Sequence, residues 1–247
     1  MDKVAELERL YASWRQCTNC PLHKDRTTVV PGFGNPYSPI MILGEAPGFN
    51  EDQQGLPFIG KAGRYLDQIL AGVASDPKIC AAHWEVVQST KQEHEQKVAV
   101  LRDLLWQGYY FTNCIACRPP EDRTPNNVEL AMCAPRVQEI IYLVDPLLII
   151  GSGRTAVESL VKNHVQITHV RGEFYDIELP GKIIDYRGLL LATLHPSYLM
   201  RKNDQKNKYG ETSMTYDDYL KANRLIDEYL EHHLGVPRPV RPYDPER

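Results

Sequence analysis

No stretch of the chain is apolar for long enough to span a bilayer, so no membrane-crossing helix is expected. There is no excess of basic charge: 28 Lys and Arg stand against 32 Asp and Glu, a formal net charge of −4. A nucleic-acid partner would have to be met by a local basic patch, because the field of the whole molecule does not attract one. No internal repeat recurs. The opening segment, MDKVAELERLYASW, has charges threaded through an amphipathic pattern and lacks the apolar core of a secretory signal. The expected compartment is the cytoplasm. In that reducing setting six cysteines argue for metal or cluster ligands over disulfides.

What is present is a 247-residue chain, 43% hydrophobic, long enough for one large core. Leu7, Leu10, Tyr11 and Trp14 recur at helical spacing over Val4 to Trp14. A loop with Cys17 and Cys20 leads into the turn-rich VVPGFGNPYSP. Ile40 to Leu43 form a short buried strand, and GKAGRYLDQILAGV a helix with Leu66, Ile69, Leu70 and Val73 on one face. The polar stretch from Asp76 to Gln107 is a helical insertion. GYYFTN, PLLIIGS and LLLATLHPS are strands. NNVELAMCAPRVQEIIYLV is a helix capped by Asn126 or Asn127, GRTAVESLVKN another, and YDDYLKANRLIDEYLEHHL a closing amphipathic helix. Residues 1–235 are expected to form a single domain with the insertion near 74–107, and 236–247 an extended proline-rich tail.

Apolar strands alternating with amphipathic helices imply a parallel α/β sheet covered on both faces. Ligands of such sheets bind beyond the carboxyl ends of the strands. Four strands lead into chemically loaded loops: GEAPG, TNCIACRPP, GSGR and HPSYLMR. Their convergence on one edge points to a site more strongly than any one of them.

The cysteines allow two metal readings and one plain one. Cys17, Cys20, Cys117 and Cys133 suit a [4Fe–4S] cluster. Cys17, Cys20, Cys114 and Cys117 form two Cys-x-x-Cys pairs, a zinc pattern. As small apolar residues they also suit a core, the role expected of Cys80.

Five pieces now stand in order: CTNC at 17–20, GEAPGFNEDQQGLPFIGKAG at 44–63, YFTNCIACRPPEDRTP at 110–125 together with the preceding Tyr109, Cys133, and HPSYLMR at 195–201. Together they resemble the family-four, iron–sulfur uracil-DNA glycosylases, over most of the span from Cys17 to Arg201. The resemblance implies a three-layer α/β/α sandwich with a mostly parallel sheet, a [4Fe–4S] cluster on Cys17, Cys20, Cys117 and Cys133, and uracil-containing DNA as substrate. The chain departs from the family in a longer 74–107 segment, an extended closing helix and tail, and Phe49 and Asn50 where acidic residues often stand.

Cleaving an N-glycosidic bond develops positive charge on the sugar and negative charge on the departing base. The base must first leave the stack. Phe58 suits the floor of a uracil pocket, and Ala46 lets base and sugar approach closely. Asn113 offers a donor and an acceptor to the pyrimidine edge. His195 can donate to uracil O2 as its charge grows. Pro47 and Gly48 force a turn that holds carboxylates beside the pocket. Glu45 is the first choice for orienting water and stabilising the cationic sugar, Glu51 the second. Asp52 suits a cap of the following turn. Arg118, Arg123, Arg154, Ser197 and Arg201 are candidate DNA contacts, joined by Lys202. Tyr198, Leu199 and Met200 are a candidate wedge for the gap left by the flipped base.

These residues lead to a monofunctional uracil-DNA glycosylase of base-excision repair, acting on DNA near the nucleoid, monomeric, with the insertion or C-terminal extension available to a protein partner. Phe49, Asn50 and the insertion also admit a modified base such as 5-hydroxymethyluracil or hypoxanthine. A non-catalytic DNA-binding or replication accessory protein, and a zinc-stapled hydrolase, are the further alternatives.

Overall fold

The computed structural model describes residues 2–74, 76–180, 185–203 and 211–235. The expected tail at 236–247 lies outside them.

Six strands make one sheet: β1 (Phe33–Gly34), β2 (Ile40–Gly44), β3 (Tyr110–Asn113), β4 (Leu148–Ser152), β5 (Phe174–Leu179) and β6 (Tyr186–Thr193). Their spatial order is β1-β3-β2-β4-β6-β5. The central four pair in parallel; β1 and β5 flank them antiparallel. Every residue of β2, β3 and β4 is buried, as parallel strands covered on both faces require. β5 instead alternates toward solvent, an edge-strand pattern. The short β1 and this alternating β5 were not anticipated, because neither carries the continuous apolar run that marks a buried strand.

Ten helices cover the sheet among the described residues: α1 (Lys3–Trp14), α2 (Phe49–Gln54), α3 (Lys61–Val73), α4 (Pro77–Val87), α5 (His94–Gly108), α6 (Asn127–Val144), α7 (Arg154–Val161), α8 (Ile167–Val170), α9 (Pro196–Asn203) and α10 (Glu211–Leu234). Successive strand side chains point to opposite faces, and this splits the core in two. Ile40, Ile42, Phe111, Ile150 and Leu191 pack with Leu66, Leu70, Leu105 and Tyr219 from α3, α5 and α10. Met41, Leu43, Tyr110, Ile149 and Leu190 pack with Leu7, Ile140, Ile141 and Val157 from α1, α6 and α7. The result is the expected α/β/α sandwich with a mostly parallel sheet.

The insertion is a helical pair. Asp76 caps α4, with Pro77 at its first position, and Ile79, Val86, Leu101 and Leu105 join the first core. The Arg102 guanidinium meets the Asp67 carboxylate at 2.5 Å, fastening α5 to α3. Asn126 caps α6 in a reciprocal capping box with Glu129.

One local expectation is corrected, and one element is added. The HPS of LLLATLHPS does not extend the strand: β6 stops at Thr193 and Pro196 opens α9, since proline suits a first helical turn and interrupts a ladder. The FNEDQQ that follows the GEAPG turn is helix α2, ended by Gly55 in the left-handed conformation.

Leu199 belongs to the first core and is 1% exposed. A DNA wedge must stand at the surface, so Leu199 is removed from that role; Tyr198 and Met200 on either side are half-buried. Leu199→Ala is expected to lower unfolding free energy by about 2–5 kcal/mol through the cavity it leaves, while Met200→Ala costs much less; chemical denaturation of the two variants checks this.

Candidate active site

The loops beyond β2, β3, β4 and β6 meet at the carboxyl edge of the sheet. Pairing continues past the strands: Cys114 N–H donates to the Gly44 carbonyl at 2.9 Å, Ile115 N–H to that of Glu45 at 3.2 Å, and Gly153 N–H to that of Thr193 at 2.9 Å. A cleft of about 330 Å³ opens there, lined by Glu45, Ala46, Glu51, Phe58, Asn113, Arg123, His195 and Ser197, among others. Eight residues singled out from the sequence therefore share one cavity. None of its walls comes from α4 or α5.

Missing side chains make the close approaches. A Cβ on Gly44 would lie 2.3 Å from Asn113 Oδ1 and 2.6 Å from Phe58 Cζ. The last residue of β2 is thus the point where the aromatic ring and the amide meet. Phe58 holds a left-handed backbone at φ 56°, a conformation disfavoured for L-residues and typical of functional sites. Its backbone packs on Gly63 of α3, where a Cβ would overlap the Phe58 carbonyl. At Gly153, φ is 93° and a Cβ would come within 3.0 Å of the His195 Cβ.

The carboxylates divide. One oxygen of Glu45 accepts from Thr155 Oγ1 of α7 at 2.5 Å. Glu51 is 8% exposed, and its Oε1 accepts from Gly60 N–H, the N-cap of α3, at 2.6 Å. Glu51 thus braces the loop that carries Phe58. Asp52 does not cap a following turn: it accepts from the N–H groups of Thr27 at 3.0 Å and Thr28 at 3.4 Å, tying the segment after the first two cysteines to α2.

His195 is half-buried. Ser197 N–H donates to its Nδ1 at 3.2 Å, and Ser197 Oγ lies 2.7 Å from the same atom. A backbone N–H can only donate, so Nδ1 is the acceptor and the neutral ring carries its proton on Nε2. Burial, helped by the Arg201 charge, pulls the imidazole down from 6.5 to about 4. The ring is therefore a neutral N–H donor at physiological pH.

The basic residues are partly engaged already. Arg123 binds both oxygens of Glu129, at 2.6 and 2.9 Å. Arg118 pairs with Asp122 at 2.6 Å and stacks over the exposed Phe49 ring at 5.2 Å. Arg154 is exposed at the start of α7, and Arg201 is exposed on α9 with Nη1 3.5 Å from Ser197 Oγ. Thr155 and Lys61 were not singled out from the sequence; Lys61 directly follows Gly60 and Thr155 stands two residues after Gly153, each in the first turn of a helix, and that position was the available signal. Arg136 was missed too. It sits in an apolar helical stretch where a charge reads as a surface residue, yet it is 1% exposed.

Cys17, Cys20, Cys117 and Cys133 line a second cavity, with Arg26 and Arg136 also on its wall. Arg26 Nη1 donates to Cys117 Sγ at 3.2 Å. Cys114 points away, its Sγ 3.4 Å from Ser159 Oγ. The quartet of Cys17, Cys20, Cys114 and Cys117 required for the zinc alternative is thus not assembled. Among the described residues no three His, Cys, Asp or Glu side chains close around a single metal ion.

The family model for the uracil DNA glycosylase superfamily matches residues 31–217. The chain is 34% identical over 213 residues to a type-4 uracil-DNA glycosylase of Thermotoga maritima, covering 86% of this chain and 90% of that one. A type-4 uracil-DNA glycosylase of Pyrobaculum aerophilum is 31% identical over 201 residues, 80% of this chain and 86% of that one. One from Archaeoglobus fulgidus is 28% identical over 232 residues, 88% of this chain and all of that one. With residues of three motif segments lining one cleft, the cysteines of the other two lining a second cavity together with Cys117, and a matching sequence over most of its length, the chain belongs to the uracil-DNA glycosylase superfamily.

Proposed function

We propose that the protein hydrolyses the N-glycosidic bond of deoxyuridine in DNA, releasing uracil and leaving an abasic site for base-excision repair. The observation that carries this is the meeting of Phe58, Asn113, Glu45 and a neutral His195 in one cleft. A uracil flipped from the helix stacks on Phe58, and the Asn113 amide reads its pyrimidine edge. As the bond to the sugar lengthens, negative charge gathers on the base. His195 Nε2–H donates to uracil O2 without changing its own protonation. Glu45, held by Thr155, faces the positive charge growing on the sugar and orients the attacking water. A fixed carboxylate there helps by charge alone, and so does a fixed donor at the leaving oxygen. Glu51 acts indirectly, through the Gly60 tie that sets Phe58.

Cys17, Cys20, Cys117 and Cys133 are the residues that would hold a [4Fe–4S] cluster. Such a cluster binds each thiolate to a different iron, and four cysteines lining one cavity are the donor set it requires. When bound it supplies a covalent cross-link among the N-terminal segment, the loop after β3 and α6, and no step of the hydrolysis. Tyr198 and Met200 are the residues left to fill the gap in the duplex. Arg154, Lys61, Ser197 and Arg201 are proposed phosphate contacts, with Arg118 and Arg123 able to join by sharing their guanidinium donors. A preference for modified bases loses one of its motives, because the insertion contributes nothing to the cleft.

His195→Ala is expected to slow uracil release from a single-uracil oligonucleotide by on the order of 10²–10³-fold with folding intact, the effect of losing one preorganised donor; unchanged release would remove His195 from the chemistry. Gly44→Ala should cripple release while the cysteine cavity stays intact, since the added methyl takes the space of the Asn113 amide and the Phe58 ring; single-turnover assays check it. The imidazole resonance of His195 should titrate near pH 4. With the folded value lowered, the neutral form is kept as the pH falls, and protonation of the unfolded chain below about 6.5 erodes stability between there and 4. No loss of activity should therefore trace to His195 near pH 6.5.

A further inference from the structure

Among the described residues Arg136 heads the large side chains that the core encloses, at 1% exposure. Its Nη1 donates to Thr112 Oγ1 at 3.3 Å and its Nη2 to the Asn113 carbonyl, while Nε has no partner. Among the described residues no carboxylate forms an ion pair with it. A guanidinium cannot shed its proton to escape burial, and an uncompensated charge out of water is strongly unfavourable. The fold must therefore present a negative charge to it.

Arg136 is also one of the residues lining the cavity of Cys17, Cys20, Cys117 and Cys133, where Arg26 already donates to the Cys117 sulfur. Four thiolates around an oxidised four-iron core leave two negative charges in excess. Two arginines border that cavity. We propose that the four-cysteine centre is the missing counter-ion of Arg136, and that Arg136 and Arg26 together neutralise it. The proposal rests on the cluster assignment made above. Arg136 is then a positioning residue: it joins the centre to the end of β3, because the group that balances the cluster also holds the backbone of the base-reading Asn113. Losing the cluster would leave a buried cation unbalanced directly behind the pocket.

The test is a thermodynamic cycle on the full chain, purified anaerobically, with and without its iron, in the parent and in Arg136→Gln. Melting is followed by circular dichroism, and cluster loss by the bleaching of its visible absorbance with an iron chelator. Iron removal should lower the melting temperature more in the parent than in Arg136→Gln, because only the parent is left with a stranded charge. Cluster loss should be faster in Arg136→Gln by on the order of 10–100-fold, the scale on which groups around metal ligands act, and close to the parental rate in Arg136→Lys, which keeps the charge. Equal drops in melting temperature with an unchanged rate of loss would overturn the proposal and leave Arg136 a packing residue. Should Arg136→Gln fail to fold in both forms, the half-buried Arg26→Gln decides: faster cluster loss supports the charge balance and an unchanged rate overturns it. Parent protein that contains neither iron nor sulfide would sink the cluster assignment itself, an outcome distinct from equal responses in protein that contains both.

Discussion

Strands that pair in parallel must begin at one edge of a sheet and end at the other, and the cleft follows from that constraint. Each parallel neighbour needs a crossover long enough to return to the starting edge. The helices supplying those returns cover both faces. Glu45, Asn113, the Gly153–Thr155 turn and His195 are far apart in the chain. They are brought together because each lies at or just beyond the end of a strand in the same parallel set. The backbone ladder runs on for a residue or two beyond β3 and β4, so the catalytic loops begin on rigid footing.

Buried polar groups then set the loops against one another. Asp52 spends its carboxylate on two backbone N–H groups of the N-terminal segment, and Glu51 spends one oxygen on the N-cap of α3. Thr155 donates to Glu45, and Ser197 orients the His195 ring. The Asp52 and Thr155 bonds join segments distant in sequence, while those of Glu51 and Ser197 fix local turns, all at least partly shielded from water, where an unmade bond costs most. The acidic turn is consequently tied to three other segments of the molecule. Of its carboxylates, Glu45 is the one that accepts from a side-chain hydroxyl, that of Thr155, and lines the cleft, which is why it is the one proposed to act on the sugar.

Much of the fold was legible. The all-buried runs of β2, β3 and β4 and the amphipathic helices between them carry periodic apolar signals that local geometry produces directly. The Asn126 cap was legible for the same reason. The edge strands β1 and β5 were not, being held by pairing with a distant neighbour rather than by an apolar pattern of their own. Leu199 shows the limit in the other direction. Its place in HPSYLMR, between two surface-facing neighbours, resembles part of an exposed loop. Only the turn of α9 against α3 carries it into the core.

By itself the sequence determined which residue types were available and the order of the elements that present them: the four strand-end motifs, the cysteine spacing and the alternation of strand with helix. Those are properties of neighbours along the chain, and the physics that reads them is local. The tertiary structure alone decided which cysteine stands apart, that Glu51 and Asp52 brace while Glu45 faces the cleft, that His195 is held neutral with its proton on Nε2, and that Arg136 is buried against the four-cysteine cavity. Burial, close approach across missing side chains and the pairing of charges depend on segments many residues apart meeting at the same place. No periodicity in the chain records such a meeting.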